Sequence, residues 1–397
     1  MDVPNFSIHV NIRTTMTGTQ NNNTGNYRVL TILSLLSTCG AAVYFIAPLL
    51  VGGYVTQLGF SSQQGGYIIS AELAGFALAA IPAAIWVKTF SWRTALYVSA
   101  GSVILMNLVT SSLTGFALFP VVRFLGGFAA GIQLAVCMAV IHRNLDPDRS
   151  LGYWFGLQLL VASVGVIFLP ALIADVSVGA VFLLLAGLHA LLLLFIRFIP
   201  DSGESEQMPE VKATGSIPVL VSFGFVGLYL FEVGIMGVWA YYERIGDAGG
   251  ISAQTIGYAL SASLFLGFLG SMATAALSTR FNRLVPVVLG TGLAIFCTAL
   301  LLTDFSTVVY VISVGLFIFA WYFTLPYIMA CIANVDATGR LLILSNMVAG
   351  LGTSTGPAFA ALLQTSDSYV PVLWMGIITM LVSILFISRL ALQPSRE

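Results

Sequence analysis

Charge is scarce in this sequence. Charged residues make up 8% of its 397 positions, against 58% hydrophobic residues. A soluble domain carries roughly 25% charge, so a soluble fold would lack the polar surface to cover this much apolar material. Lysine is nearly absent: Lys88 and Lys212 are the two, each preceded by valine. A phosphate-cradling loop of the form G-x-x-x-x-G-K-[ST] is therefore excluded, and any solute pumping must draw on a gradient or a partner. The four cysteines (Cys39, Cys137, Cys297, Cys331) all fall in apolar stretches, unlike the clustered spacing of a disulfide framework or zinc site. A net charge of −1 offers no basic face to nucleic acid. His142 and His189 have no ligand cluster beside them and read as an interfacial and a packed histidine. The first 27 residues are polar, with no apolar core of signal-peptide type. Nothing implies a cofactor or a metal.

What the sequence does contain is apolar runs of membrane length. One span needs ~20 residues. Runs fall at 29–53, 65–87, 94–112, 116–141, 151–174 and 178–198, and again at 217–242, 254–278, 284–303, 307–333, 341–364 and 370–393. The sixth and seventh are separated by the most polar internal stretch, which begins Pro200-Asp201-Ser202-Gly203-Glu204. The expected organisation is a tail (1–28), a six-helix half (29–198), a linker (199–216), a second six-helix half (217–393) and a short tail (394–397). Lys and Arg favour the cytoplasmic side of a membrane. With both termini inside, 13 of the 15 basic residues fall on inside segments, leaving Arg244 outside and Arg123 within the fourth span. A multi-pass protein of a cell inner membrane, both termini cytoplasmic, is the expectation.

The two halves repeat each other. A shift of 191 residues, without gaps, brings Ser61, Gln63, Gly66, Tyr67, Ser70 and Leu73 onto Ser252, Gln254, Gly257, Tyr258, Ser261 and Leu264. It also brings Arg149 onto Arg340 and Gly165 onto Gly356. Six spans per repeat put both halves in the same orientation, a parallel repeat. The expected fold class is an all-α integral membrane protein, twelve transmembrane helices in two parallel six-helix repeats.

This plan resembles the major facilitator superfamily over nearly the whole chain. The run Arg123-Phe-Leu-Gly-Gly127-Phe-Ala-Ala-Gly131 is similar to that family's fourth-helix pattern R-x-x-x-G-x-x-x-G. Val87-Lys88-Thr89-Phe90-Ser91-Trp92-Arg93 keeps the basic ends of its loop between helices two and three, but lacks the Asp and the glycines. Gly350, Gly352, Gly356 and Pro357 are similar to a glycine-rich motif of the family's antiporters, placed here in helix eleven instead of helix five. The resemblance implies a secondary transporter working by alternating access. It also implies a role for Arg123 in proton coupling, and a cavity lined by helices one, four, seven and ten.

Charges inside a membrane are rare and usually face a cavity. Glu72, Glu232 and Arg123 have Ser263, Ala41 and Val314 as their counterparts under the repeat shift, so shared architecture does not explain them. All three are proton-coupling candidates. For Glu232 the alternative is a structural hydrogen bond to a neighbouring helix. For Glu72 it is a pairing with helix eleven across the half interface, and for Arg123 it is snorkelling to the membrane surface. Gly127 and Gly131 are spaced to let a helix approach closely. Candidate substrate contacts are Tyr44, Asn107, Gln133, Gln158, Trp239, Trp321, Tyr322 and Asn346, with packing as the plainer reading of each aromatic. Aromatic walls suit aromatic or amphipathic solutes. Glu243 and Arg244, after helix seven, are expected to be solvated.

The expected function is proton-coupled transport of a small organic solute, with export favoured over uptake because no cavity cation is available for an organic anion. The expected partners are that solute, protons and lipid, and the expected state is a monomer. A membrane enzyme would need a His/Asp/Glu cluster at one membrane face, which Asp146 and Asp148 approach but do not form. A receptor or scaffold would need larger extensions than these loops.

Overall fold

The computed structural model describes residues 15–87, 89–144, 147–201, 219–277, 282–333, 335, 340–365 and 368–391. Linker residues 202–216, the tail 394–397, Asp146 and the side chains of His142 and Asp148 lie outside the described residues. In the first half the helices are α1 (Thr15–Gly40), α2 (Ala42–Leu58), α3 (Ser62–Leu78), α4 (Ala80–Trp86), α5 (Trp92–Ser112), α6 (Phe119–Asn144), α7 (Pro147–Asp175) and α8 (Val178–Leu193). In the second they are α9 (Val219–Trp239), α10 (Tyr242–Ala248), α11 (Ala253–Leu277), α12 (Leu284–Ala299), α13 (Thr307–Ala333), α14 (Arg340–Leu363) and α15 (Val370–Ala391).

Ten stretches of described residues are long and apolar enough to cross a membrane, with α1–α2 counting once from Tyr27 to Leu58 and α3–α4 once from Ser62 to Ala83. Two more complete the twelve expected from the sequence. Helix α12 is apolar but has only 16 residues. Helix α14 has 24, and its Thr353-Ser354-Thr355 centre dilutes its hydropathy. The first span is longer than its apolar run suggests and breaks at Ala41, which takes φ −91° and ψ 16° between α1 and α2.

The repeated sequence motif has a physical meaning at each position. Ser61 caps α3: its Oγ accepts from Gln64 N (3.1 Å), while Ser61 N donates to Gln64 Oε1 (2.9 Å). This reciprocal capping box satisfies two of the helix's free N–H groups. Its mate Ser252 accepts from Thr255 N at the start of α11 (3.3 Å). Gln63 donates to Tyr67 Oη (3.2 Å), and Gln254 to Tyr258 Oη (3.1 Å), each one turn along its helix. The glycines mark where each half meets the other. A Cβ on Gly66 of α3 would collide with Tyr241 Oη, and would stand 2.9 Å from Pro357 O and from Ala361 Cβ, all in the second half. A Cβ on Gly257 of α11 would collide with Pro170 of α7, in the first half. The halves therefore join through two symmetry-related helix pairs, α3 with α14 and α7 with α11.

The α3–α14 contact runs from Ala77, 3.0 Å from a Cβ on Gly350, to the end of the bundle remote from Thr15 and Ala391, called here the distal end. There Ser62 Oγ bonds Tyr369 Oη (2.8 Å) and Tyr241 Oη donates to Ser62 O (3.0 Å). Deeper along the second pair, Ser163 Oγ donates to Ser261 O (2.9 Å) and Ser261 Oγ to Ser163 O (2.7 Å). Reciprocal hydroxyl–carbonyl bonds suit close helices in an apolar medium, where polar groups need partners within the protein.

Candidate functional site

The buried charges form two separate sites. The first lies within the first half. Helices α3 and α6 touch backbone to backbone: a Cβ on Gly127 would collide with the Glu72 carbonyl, and one on Gly131 would stand 2.6 Å from Ala79 Cβ. Gly75 returns the contact, its Cβ position lying 2.8 Å from Phe128 N. One turn before Gly127, Arg123 reaches the Glu72 side chain. Its Nε donates to Glu72 Oε2 (2.9 Å) and its Nη2 to Glu72 Oε1, a two-pronged ion pair. Nη1 donates to Asn107 Oδ1 (2.8 Å) and reaches Thr110 Oγ1 (3.4 Å) on α5. The Phe182 ring of α8 lies under the guanidinium, 4.7 Å from centroid to Cζ. Both charged side chains are buried.

Two expectations are corrected here. Glu72 does not pair with helix eleven across the half interface; its partner is Arg123 in its own half, because the glycine stripe draws α6 against α3 at that level. Arg123 does not snorkel: it is 4% exposed and turns inward to its carboxylate. The fully buried Tyr54, whose hydroxyl has no partner among the described residues, lies within electrostatic reach of both charges.

The second site sits between the halves. Glu232 of α9 is 1% exposed. Trp321 Nε1 of α13 donates to its Oε1 (3.3 Å), and its Oε2 has no hydrogen-bond partner among the described residues. Gly352 of α14 packs on it, with a Cβ position 2.6 Å from Glu232 Cβ. Tyr44 of α2 and Tyr322 of α13 lie within electrostatic reach of its carboxyl group. Tyr322 leans on Trp321, their rings 5.3 Å apart. Tyr44 Oη bonds Thr353 Oγ1 across the interface (3.3 Å), and Trp239 Nε1 crosses the other way to Tyr44 O (2.8 Å). Helices α2, α9, α13 and α14 thus meet around one carboxyl group.

The structure brings Glu232, Tyr44, Trp239, Trp321 and Tyr322 together, and gathers Glu72, Arg123 and Asn107 elsewhere. Gln133 is fully buried beside Gly40, with neither amide atom partnered among the described residues. Gln158 is buried with its Nε2 likewise unpartnered. Asn346 stands on α14 with its side chain exposed. Sequence reasoning missed Thr110, although it lies three residues after Asn107 on the same helix face. It missed Thr353, which sits inside the glycine-rich stretch already noted. Nothing in the sequence singled out Phe182.

Glu243 and Arg244 are corrected too. They are mostly buried, with side chains 13% and 14% exposed. Helix α10 folds Glu243 across the junction onto α2, where a Cβ on Gly52 would meet its carboxylate. Arg244 lies 3.9 Å from Glu243 Oε2 and 3.0 Å from Asp247 Oδ2. Glu243 lies beyond the membrane-spanning part of α9, and desolvation pushes its carboxyl group up to about 7.

A twelve-span bundle of two repeated halves, packed together with a buried carboxyl group between them, defines a membrane transport protein of the two-half helical type. The Major Facilitator Superfamily profile matches residues 30–336, and the chain belongs to that superfamily. Among solved structures it is similar to a point mutant of the nucleoside transporter NupG, at TM-score 0.72 and 14% identity, covering 93% of this chain and 100% of that one. A D-xylose–proton symporter matches at TM-score 0.71 and 14% identity, over 90% and 96% of the two chains. A bacterial homologue of the lysosomal transporter Spinster, in an inward-facing unoccupied conformation, matches at 0.70 and 14%, over 94% and 96%. At these identities the likeness is one of fold. No curated protein matches the sequence.

Proposed function

We propose that this protein is a proton-coupled secondary transporter that moves a small aromatic or amphipathic organic solute across an inner membrane, with both termini cytoplasmic and export as its working direction. The observation that carries the reading is Glu232. It is a buried carboxyl group with one oxygen unpartnered among the described residues, in a region where helices of the two halves meet. A carboxylate removed from water costs several kcal/mol unless it is paired or protonated. When the halves rock apart at one end, water reaches the group and the proton leaves. When they close, a proton must return. Alternating access then becomes alternating protonation. Moving one charge through 100 mV contributes about 2.3 kcal/mol, ~50-fold in solute gradient. Trp321, Tyr322 and Tyr44 supply the aromatic wall.

Arg123 and Glu72 serve in this reading as a coupled pair that senses the same movement, since α3 carries Glu72 and also packs on α14 of the other half. The D-xylose–proton symporter shares the fold and supports proton coupling by analogy only. The test is luminal pH in proteoliposomes while aromatic and amphipathic compounds are added, wild type beside Glu232→Gln. A substrate-dependent pH change lost in the variant supports the reading, and its sign separates antiport from symport. Solute flux without any pH change rejects it.

A further inference from the structure

Among the described residues, the buried charged side chains in the spans are Glu72, Arg123 and Glu232. Arg123 is fully committed: its guanidinium is shared among Glu72, Asn107, Thr110 and the Phe182 ring. The pair cancels itself inside one half, and Arg244 sits at the distal end beside Glu243 and Asp247, so the stretch of the junction between α9, α13 and α14 holds the Glu232 carboxyl group and, among the described residues, no ion-pair partner for it. Buried His189 is no substitute, because it sits on α8 with Nδ1 against its own Leu185 carbonyl (3.0 Å). The groups facing Glu232 are Trp321 and Tyr322 from α13, Tyr44 from α2, and Gly352 from α14. Of these only the two tyrosines titrate, and a neutral phenol brings no positive charge.

We propose that Glu232 is the counter-ion for an organic monocation, an aromatic amine or quaternary onium, which it binds in exchange for its proton. The proposal deepens the transporter reading above and rests on it. A buried carboxylate must be neutralised or paired, and here the partner has to come from outside the protein. Trp321 turns its N–H edge to Glu232 and carries Tyr322 against its ring; aromatic rings beside a carboxylate attract a desolvated cation, which suits a cation that is aromatic or methylated. An organic anion would meet a like charge, and the Arg123 guanidinium is already held by Glu72. One proton released for one monocation bound is an electroneutral exchange, so for such a solute the pH gradient alone drives transport and the potential contribution that applies to an uncharged solute drops out.

The experiment uses the full-length protein in lipid nanodiscs with radiolabelled benzyltrimethylammonium and tetraphenylphosphonium, two monocations of different size. Binding is measured at about pH 8 and about pH 5.5, because proton and cation compete for one carboxylate and the lower pH offers about 300-fold more protons. Saturable binding at the higher pH, weaker at the lower, is the expected result. Glu232→Gln should weaken it about thirtyfold or more, the loss expected when one partner of a buried charge pair is removed. Glu232→Asp, which keeps the charge, should retain binding and show that the site still folds. Naphthalenesulfonate, an aromatic anion, should not compete. If neither cation binds, or if Glu232→Gln binds them as wild type does, the proposal is overturned. The same protein in proteoliposomes separates the two readings. Cation bound without proton release keeps the counter-ion and removes the exchange. Proton movement driven by an uncharged solute, with no cation bound, keeps the transporter and removes the counter-ion.

Discussion

The backbone of Gly127 rests against the carbonyl of Glu72, and this contact decides where Arg123 points. Four residues separate Gly127 from Arg123, one helical turn. An α6 held that close to α3 delivers the guanidinium to the Glu72 carboxylate. The glycine stripe and the charge are parts of one device: the glycines set the distance, and the ion pair fills the space one turn away. Without the close approach, each charge would be left alone in an apolar surround.

Gly127→Leu should therefore lower the thermal unfolding midpoint in detergent sharply, as overpacking costs about 1–3 kcal/mol and often more against rigid backbone. Gly101→Ala on α5, whose added methyl meets nothing within 4 Å, should leave the midpoint unchanged or raise it slightly. Equal effects at the two positions would show that the α3–α6 contact does not matter.

Removing one member of the buried pair should be worse than removing both. Glu72→Met or Arg123→Met alone should cost about 3–5 kcal/mol, because the remaining charge is uncompensated. The Glu72→Met/Arg123→Met double variant should recover much of that loss. If the losses simply add in a double-mutant cycle, the two residues do not act as a pair. Recovered stability without recovered transport would assign the pair to the transport cycle and not only to packing.

Stability of the closed distal end should depend on pH through Glu243. Burial raises its carboxyl group from an ordinary 4.5 to about 7, so the folded protein holds this proton more tightly than the unfolded chain. The folded state then binds more protons between those values, and stability falls as pH rises through that window. Below it the contribution is complete; above about 7 it is lost and the curve is flat. Glu243→Gln should abolish this part of the slope, as read from thermal midpoints across a pH series. A slope that persists in the variant assigns it to other groups.

Gly66 and Gly257 occupy equivalent places in the two helix pairs that join the halves. Gly66→Leu or Gly257→Leu should wedge one pair open at the distal end. In a chain freed of its four cysteines, Ser70→Cys should then be labelled faster by an impermeant maleimide applied from the distal side. Ser70 is buried in the unmodified protein. Labelling that stays slow in both variants would mean that these glycines do not form the seal.

Much of this architecture was legible in the chain itself. The count of spans followed from apolar length, since a bilayer demands about twenty apolar residues at a time. The repeat placed Gly66 and Gly257 in register before their contacts were known, and the rule that buried charges need a reason picked out Glu72, Arg123 and Glu232. The sequence could not say which charges meet. Glu72 and Arg123 are 51 residues apart, and their pairing depends on how closely α3 and α6 approach. Nor could it show that Glu243 and Arg244 are covered, because burial at the distal end is produced by α10 folding over the other half. That Glu232 meets a Trp321 N–H and, among the described residues, no ion-pair partner is likewise a tertiary fact. Local sequence determines which segments must lie in lipid and which residues cost most there. Only the packing of the twelve spans decides which of those costly groups neutralise one another and which one, among the described residues, has no opposite charge beside it.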